Sequence, residues 1–165
     1  MNRKFPYKSI LIVCSVNTAR SPMAEGFLKN FFLNLNVDVI VKSGGISSNA
    51  RDGMLISMDA RLAMKEIGIV LSQEYLSTDI KKHIELITEA DLILTLTKQH
   101  KEEIHKFIKV NNKQILTIKE FAGGAGDIED PSMKELEGFR RTRIEIVENL
   151  MLGLNKYSFQ NMVKI

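Results

Sequence analysis

The stretch Ile10–Leu28, ILIVCSVNTARSPMAEGFL, ends an apolar run at Cys14, passes five small or polar residues, and then sets Arg20, Ser21 and Pro22 ahead of a helix-like run. Ser9–Val13 reads as a buried strand. Pro22–Leu35 reads as a helix, with Met23, Phe27, Phe31 and Leu35 near helical spacing. Between them the chain must turn. Pro22 is preorganised for the first helical position, where a missing N–H costs nothing, and Ser21 suits the N-cap. The backbone N–H groups of Ser15, Val16, Asn17, Thr18 and Ala19 then converge on a helix N-terminus and form an anion-sized cradle. Phosphate is its natural occupant, and the planar fork of Arg20 matches two phosphate oxygens. The same positive field favours the thiolate of Cys14, a nucleophile under the phosphorus. The competing reading is a small buried hydrophobe at a strand end, which is the usual fate of a lone cysteine.

Outward from this unit, short apolar runs alternate with amphipathic ones. Val37–Val41 is expected to be a strand leading into the turn KSGGISS. Met58–Ile67 is expected to be a helix stopped by Gly68, and Thr78–Ile87 a shorter one. Ala90–Thr97 reads as a strand, Lys98–Ile108 as a helix, Gln114–Ile118 as a strand, FAGGAGDIEDPS as a loop and Met133–Leu154 as a long last helix. Strands separated by helices call for parallel pairing and right-handed crossovers. The expectation is a single α/β domain over residues 1–165: a four-stranded parallel sheet with helices on both faces, and 155–165 a possible tail. Ligands of such sheets sit beyond the carboxyl ends of the strands, so loops starting at Cys14, Ser43, Thr97 and Phe121 should crowd one rim.

The chain has 165 residues and a formal charge of +3, with both signs interspersed, which argues against a dedicated nucleic-acid or membrane surface. No apolar run approaches the roughly 18–20 residues that span a bilayer, and no signal-peptide pattern is present; a cytoplasmic monomer is the expectation. The single cysteine excludes an internal disulfide, a cysteine-based zinc site and a redox relay. His83, His100 and His105 are scattered and read as solvated or hydrogen-bonded, so neither metal nor cofactor is expected.

A thiolate attacking phosphorus needs an acid for the leaving group and later a base for water, and one carboxyl group can serve as both. Asp130 is the first choice: Pro131 restricts its backbone to extended conformations and so aims its side chain. Asp127 is the second. The plainer reading is that Asp130–Pro131 merely initiates a turn.

With these residues in view, CSVNTARSPMAE (Cys14–Glu25) and DIEDPS (Asp127–Ser132) resemble the two signatures of the low-molecular-weight protein-tyrosine-phosphatase family. KSGG (Lys42–Gly45) resembles that family's Ser-Ala-Gly turn. The resemblance covers nearly the whole chain. It implies Cys14 as nucleophile, Arg20 as phosphate clamp, Asp130 as acid then base, and Asn17, Ser21 and Ser43 as supports of the loop and thiolate. It also implies a phosphorylated protein as substrate and no cofactor. At Thr18, DLILTLTKQHKEEI and ILTIKEFAGGAGDIEDP the sequence is similar to the bacterial protein-arginine-phosphatase branch, and Ser132 stands where tyrosine-specific members have an aromatic residue. The expectation therefore leans to phosphoarginine over phosphotyrosine.

Three departures carry expectations of their own. Val16 replaces the family's loop glycine, which is costly if that position needs positive φ. Ala19 replaces a second cysteine, so an oxidised Cys14 has no neighbour to form a disulfide with. In GIVLSQEYLS the family's supporting histidine is missing, with Leu71 falling in its place. A thioredoxin-linked arsenate reductase needs further cysteines, and a phosphocarrier would not need Arg20, Ser21 and Asp130 together. A non-catalytic phosphate-binding module remains the alternative.

Overall fold

A computed structural model of the chain describes residues 3–107 and 113–160. Its elements are β1 (Arg3–Lys4), β2 (Ser9–Cys14), α1 (Arg20–Asn34), β3 (Ile40–Gly45), α2 (Met58–Lys65), α3 (Glu85–Glu89), β4 (Leu92–Thr95), α4 (Lys98–Phe107), β5 (Gln114–Thr117), α5 (Ile118–Phe121), α6 (Glu135–Leu154) and β6 (Tyr157–Ser158). The main sheet has the order β3-β2-β4-β5, all parallel. Along β2, Ile10, Ile12 and Cys14 enter one apolar cluster with α1, α2, α5 and α6, while Leu11 and Val13 enter a second with Ile80, Ile87, Ile93 and Ile104. Burial on both faces is why this strand reads as an unbroken apolar run. Because strand side chains alternate, Cys14 falls on the α1 side, beneath the helix that begins six residues later.

Several boundaries differ from the expectation. Asn36 adopts left-handed φ (54°), and Val37 N–H turns back to Phe32 C=O (2.9 Å), so the second strand starts at Ile40 and runs through the expected turn to Gly45. Its glycines are there for space. A Cβ on Gly45 would sit 2.6 Å from Ser15 O and 2.9 Å from Val16 Cα, and one on Gly44 would sit 2.4 Å from Ile80. The expected helix 78–87 is instead a 3₁₀ turn at Ile80–Lys82, capped by Asp79, followed by α3. Left-handed φ at Met133 (74°) and Glu135 (56°) delays the last helix to Glu135. Gly68 does end α2 as expected, at φ 79°. Ile108 of the expected fourth helix lies outside the described residues.

The segment after α6 is docked as far as Phe159, and residues 161–165 of the expected tail lie outside the described residues. Tyr157–Ser158 pairs in parallel with Arg3–Lys4, and Phe159 packs on Phe5 with ring centroids 5.1 Å apart. No described helix is long and apolar enough to cross a membrane.

Gly45→Ala is expected to lower unfolding free energy by about 1–3 kcal/mol, because its Cβ would overlap the loop backbone rather than a yielding side chain. Denaturant titration measures the loss, and phosphate binding should weaken with it.

Candidate active site

The loop between β2 and α1 is shaped by one residue. Asn17 takes left-handed φ (63°), a conformation asparagine tolerates, and is fully buried. Its side chain donates to Ser21 Oγ (2.7 Å) and Ser43 Oγ (2.9 Å) and accepts from Thr78 N–H (2.9 Å). One amide thus ties the loop to α1, to β3 and to the segment before the 3₁₀ turn. Its backbone N–H donates to Cys14 Sγ (3.2 Å). Ser21 Oγ lies 2.8 Å from the same sulfur. Since Ser21 Oγ already accepts from Asn17, its own proton is available to the sulfur, an arrangement that suits a thiolate.

This arrangement corrects the reading of Ser21. Helix α1 begins at Arg20 with Ala19 at the N-cap and no side-chain cap, so Ser21 sits inside the first turn and its hydroxyl serves Cys14 instead. The first-turn N–H groups, which have no carbonyl of their own helix to bond, face the loop's end. Val16 lies outside the left-handed region, so the expected strain of a β-branched residue there is absent. Thr18 is half-buried and its C=O accepts from Ser57 N–H (2.8 Å). Ser47 holds the Ser15 C=O twice, through its N–H (3.0 Å) and its hydroxyl (2.9 Å).

Arg20 is buried, yet its guanidinium spans both sides of the rim. Nη1 donates to Ile128 C=O (2.9 Å), Nη2 to Ser15 Oγ (3.3 Å), and Asp130 Oδ2 lies 3.9 Å from Nη2. Ile128 N–H in turn donates to Leu96 C=O (2.9 Å), which pins the Asp-Pro loop to the end of β4. The structure therefore brings Cys14, Arg20 and Asp130 to one rim. Asp127 is separated from them in role: its Oδ1 accepts from Lys98 N–H (2.8 Å) and caps α4. Asp130 stays half-exposed, with Oδ1 accepting from the N–H (2.9 Å) and hydroxyl (2.7 Å) of Ser132. Half-burial alone would raise its pKa; the two Ser132 bonds and the Arg20 charge outweigh that and hold the carboxyl below its usual range.

Three contributors were not assigned to the site from the sequence. Ser43 Oγ bonds the Tyr75 hydroxyl, which also meets the buried Glu25. Tyr75 thereby fills the supporting role the sequence lacked a histidine for, while Leu71, placed there from the sequence, is simply core. Burial and the Glu25 charge push the Tyr75 hydroxyl far above its ordinary pKa, and burial pushes the Glu25 carboxyl up. The third is His100, buried in the first turn of α4 with Nε2 2.8 Å from Ser15 Oγ. Burial, then the Arg20 charge, lower its pKa from 6.5 to about 4, against opposing pulls from Asp127 and Asp130. Its position just past the end of β4, on the expected rim, was the one available signal.

The described residues contain no cluster of His, Cys, Asp and Glu able to hold a metal ion. Residues 9–159 match the model of the family described as low molecular weight phosphotyrosine protein phosphatase. The chain is 37% identical over 143 residues to a protein-arginine-phosphatase of Geobacillus stearothermophilus, covering 86% of this chain and 89% of the relative. It is 32% identical to the low molecular weight protein-tyrosine-phosphatase PtpB of Staphylococcus haemolyticus, covering 81% and 88%. Among solved structures, a low molecular weight protein tyrosine phosphatase from T. tengcongensis superposes with TM-score 0.81 at 32% identity, covering 90% of this chain and 98% of that one. The YwlE arginine phosphatase, solved as a cysteine-to-serine mutant with a phosphorylated active-site serine, superposes with TM-score 0.79 at 32% identity, covering 87% and 91%. The chain belongs to the low molecular weight phosphotyrosine protein phosphatase family, the cysteine-based phosphatases of this fold.

Asn17→Gly keeps the backbone conformation but deletes three buried side-chain bonds; a loss of about 2 kcal/mol is expected by denaturant titration. A second expectation concerns acid. The folded chain keeps His100 neutral down to about pH 4, whereas the unfolded chain takes up that proton near 6.5, so stability falls as pH drops through this window. Between pH 7 and 5 the contribution is about 2 kcal/mol. Melting temperatures of wild type and His100→Gln should therefore converge on acidification.

Proposed function

We propose that this phosphatase hydrolyses phosphorylated protein side chains, phosphoarginine in preference to phosphotyrosine, with Cys14 as nucleophile, Arg20 as phosphate clamp and Asp130 as acid and then base. The reading is carried by the placement of Asp130 3.9 Å from Arg20, which is itself bonded to the loop that begins at Cys14. In the first step the Cys14 sulfur attacks phosphorus and the bond from phosphorus to the leaving nitrogen or oxygen breaks. The negative charge of the bound phosphoryl group raises the proton affinity of Asp130, which takes a proton in the complex and passes it to the leaving group. In the second, Asp130 takes a proton from water, the water oxygen attacks, and the sulfur–phosphorus bond breaks to release phosphate.

Three features support the arginine preference. Asp130 is held ionised in the free site, and a carboxylate attracts the positive guanidinium of phosphoarginine as it does not attract a phenol ring. Ser132 occupies the position after Pro131 and is spent on orienting Asp130, so no aromatic face stands there to stack a phenol. Thr18 adds a hydroxyl on the loop that an apolar residue would lack. The naming of relatives as arginine phosphatases agrees with this reading, and the naming of others as tyrosine phosphatases keeps the second substrate in the test.

Phosphate release from matched phosphoarginine and phosphotyrosine proteins is expected to be faster for the former. Cys14→Ser should abolish it, and Asp130→Asn should lower kcat about 10²-fold or more. Faster release from phosphotyrosine with the same Cys14 dependence would overturn the substrate preference. Phosphate binding without turnover on either substrate would overturn the assigned roles.

A further inference from the structure

The hydroxyl of Ser15, the residue after Cys14, has two neighbours. Arg20 Nη2 lies 3.3 Å away and, as part of a guanidinium, can only donate. His100 Nε2 lies 2.8 Å away. The other ring nitrogen of His100, Nδ1, is the one buried side-chain nitrogen or oxygen among the described residues without a hydrogen-bond partner. His100 itself is only 4% exposed.

These contacts decide where the imidazole proton sits. A neutral imidazole carries one N–H. On Nδ1 that proton would be an orphaned donor in the interior, among the least tolerated of buried polar groups. On Nε2 it is given to Ser15 Oγ, and only a bare lone pair is left at Nδ1. Ser15 Oγ then accepts twice, from Arg20 and from His100, and both of its lone pairs are taken. Its own O–H proton is left for whatever fills the loop.

We propose that His100 is a positioning residue that fixes the Ser15 hydroxyl as a donor to the phosphoryl group in the loop. The proposal rests on the reading that the loop holds a phosphoryl group. It assigns Ser15 a bond to a phosphoryl oxygen beyond those of the backbone and Arg20, and it gives a role to a histidine 85 residues distant in sequence. Burial and the Arg20 charge keep this imidazole neutral at pH 7 against the opposing pulls of Asp127 and Asp130, and neutral is the state in which the Nε2–H tautomer is the defining feature.

Long-range proton–nitrogen NMR correlation on the unmodified protein at neutral pH reads the tautomer directly. A proton on Nε2 is expected; one on Nδ1 overturns the proposal. This readout needs no variant, so a poorly folding His100→Phe does not shield the idea. Inorganic phosphate affinity, measured by calorimetry in the Cys14→Ser background, supplies the functional arm. Adding Ser15→Ala or His100→Phe should each weaken binding about tenfold, and both together no more than the larger single loss, since they act through one hydrogen bond. Ser15→Thr, which keeps the hydroxyl, should recover most of the Ser15→Ala loss. Losses that multiply, or a His100→Phe that lowers only the melting temperature, overturn the proposal. If the unmodified protein hydrolyses neither phosphoramidate nor phosphoester, the phosphatase roles fail while the phosphate affinities still decide this point. If phosphate does not bind at all, both readings fall.

Discussion

The site depends on a single amide. Asn17 turns the backbone through a left-handed conformation and then satisfies its own side chain on three different parts of the fold: α1, β3 and the segment ahead of the 3₁₀ turn. Both of its N–H donors end on serine oxygens, which leaves the proton of each serine hydroxyl free to point elsewhere. Ser21 is left with a proton for Cys14, and Ser43 is left to engage Tyr75. An isosteric carboxylate could not do this, since it has no proton to give either serine. The surroundings of the Cys14 sulfur are thus set by bonds two and three links away as well as by those made to it directly.

Most of this was visible in the order of residues. Alternating apolar and amphipathic runs force a parallel sheet, and the sheet brings strand ends together, so Cys14, Arg20 and Asp130 could be placed on one rim from pattern alone. Ser43 was also nameable, although the strand bearing it was drawn three residues too early. The pair Gly44–Gly45 looks like a turn because glycine's usual use is conformational. Here the reason is steric, a strand edge pressed against the loop, and that pressure exists only after folding. Ser21 was misread as a cap for a related reason. The same hydroxyl chemistry serves either a backbone N–H or a sulfur, and local sequence does not say which is nearer.

His100 and Tyr75 mark where sequence reasoning stops. Their partners lie 85 and 32 residues away, and nothing in KQHKEE or SQEYLS separates a buried imidazole or phenol from an exposed one. The missing histidine was read as a missing support, when the support had moved to a tyrosine whose hydroxyl reaches Ser43 from another part of the loop. Val16 shows the opposite error. A glycine common in relatives suggested that the backbone there required one, yet the left-handed turn belongs to the neighbouring asparagine.

The double grip of Ser47 on the Ser15 carbonyl, together with the pressure of Gly45, means that the loop is in place before any ligand arrives. A cradle that needs no ordering binds an incoming phosphoryl group without the entropic cost of closing around it. On the proposed reading it would offer the same welcome to inorganic phosphate, which presents the same oxygens, so the stiffness that favours attack would also prolong the stay of the product.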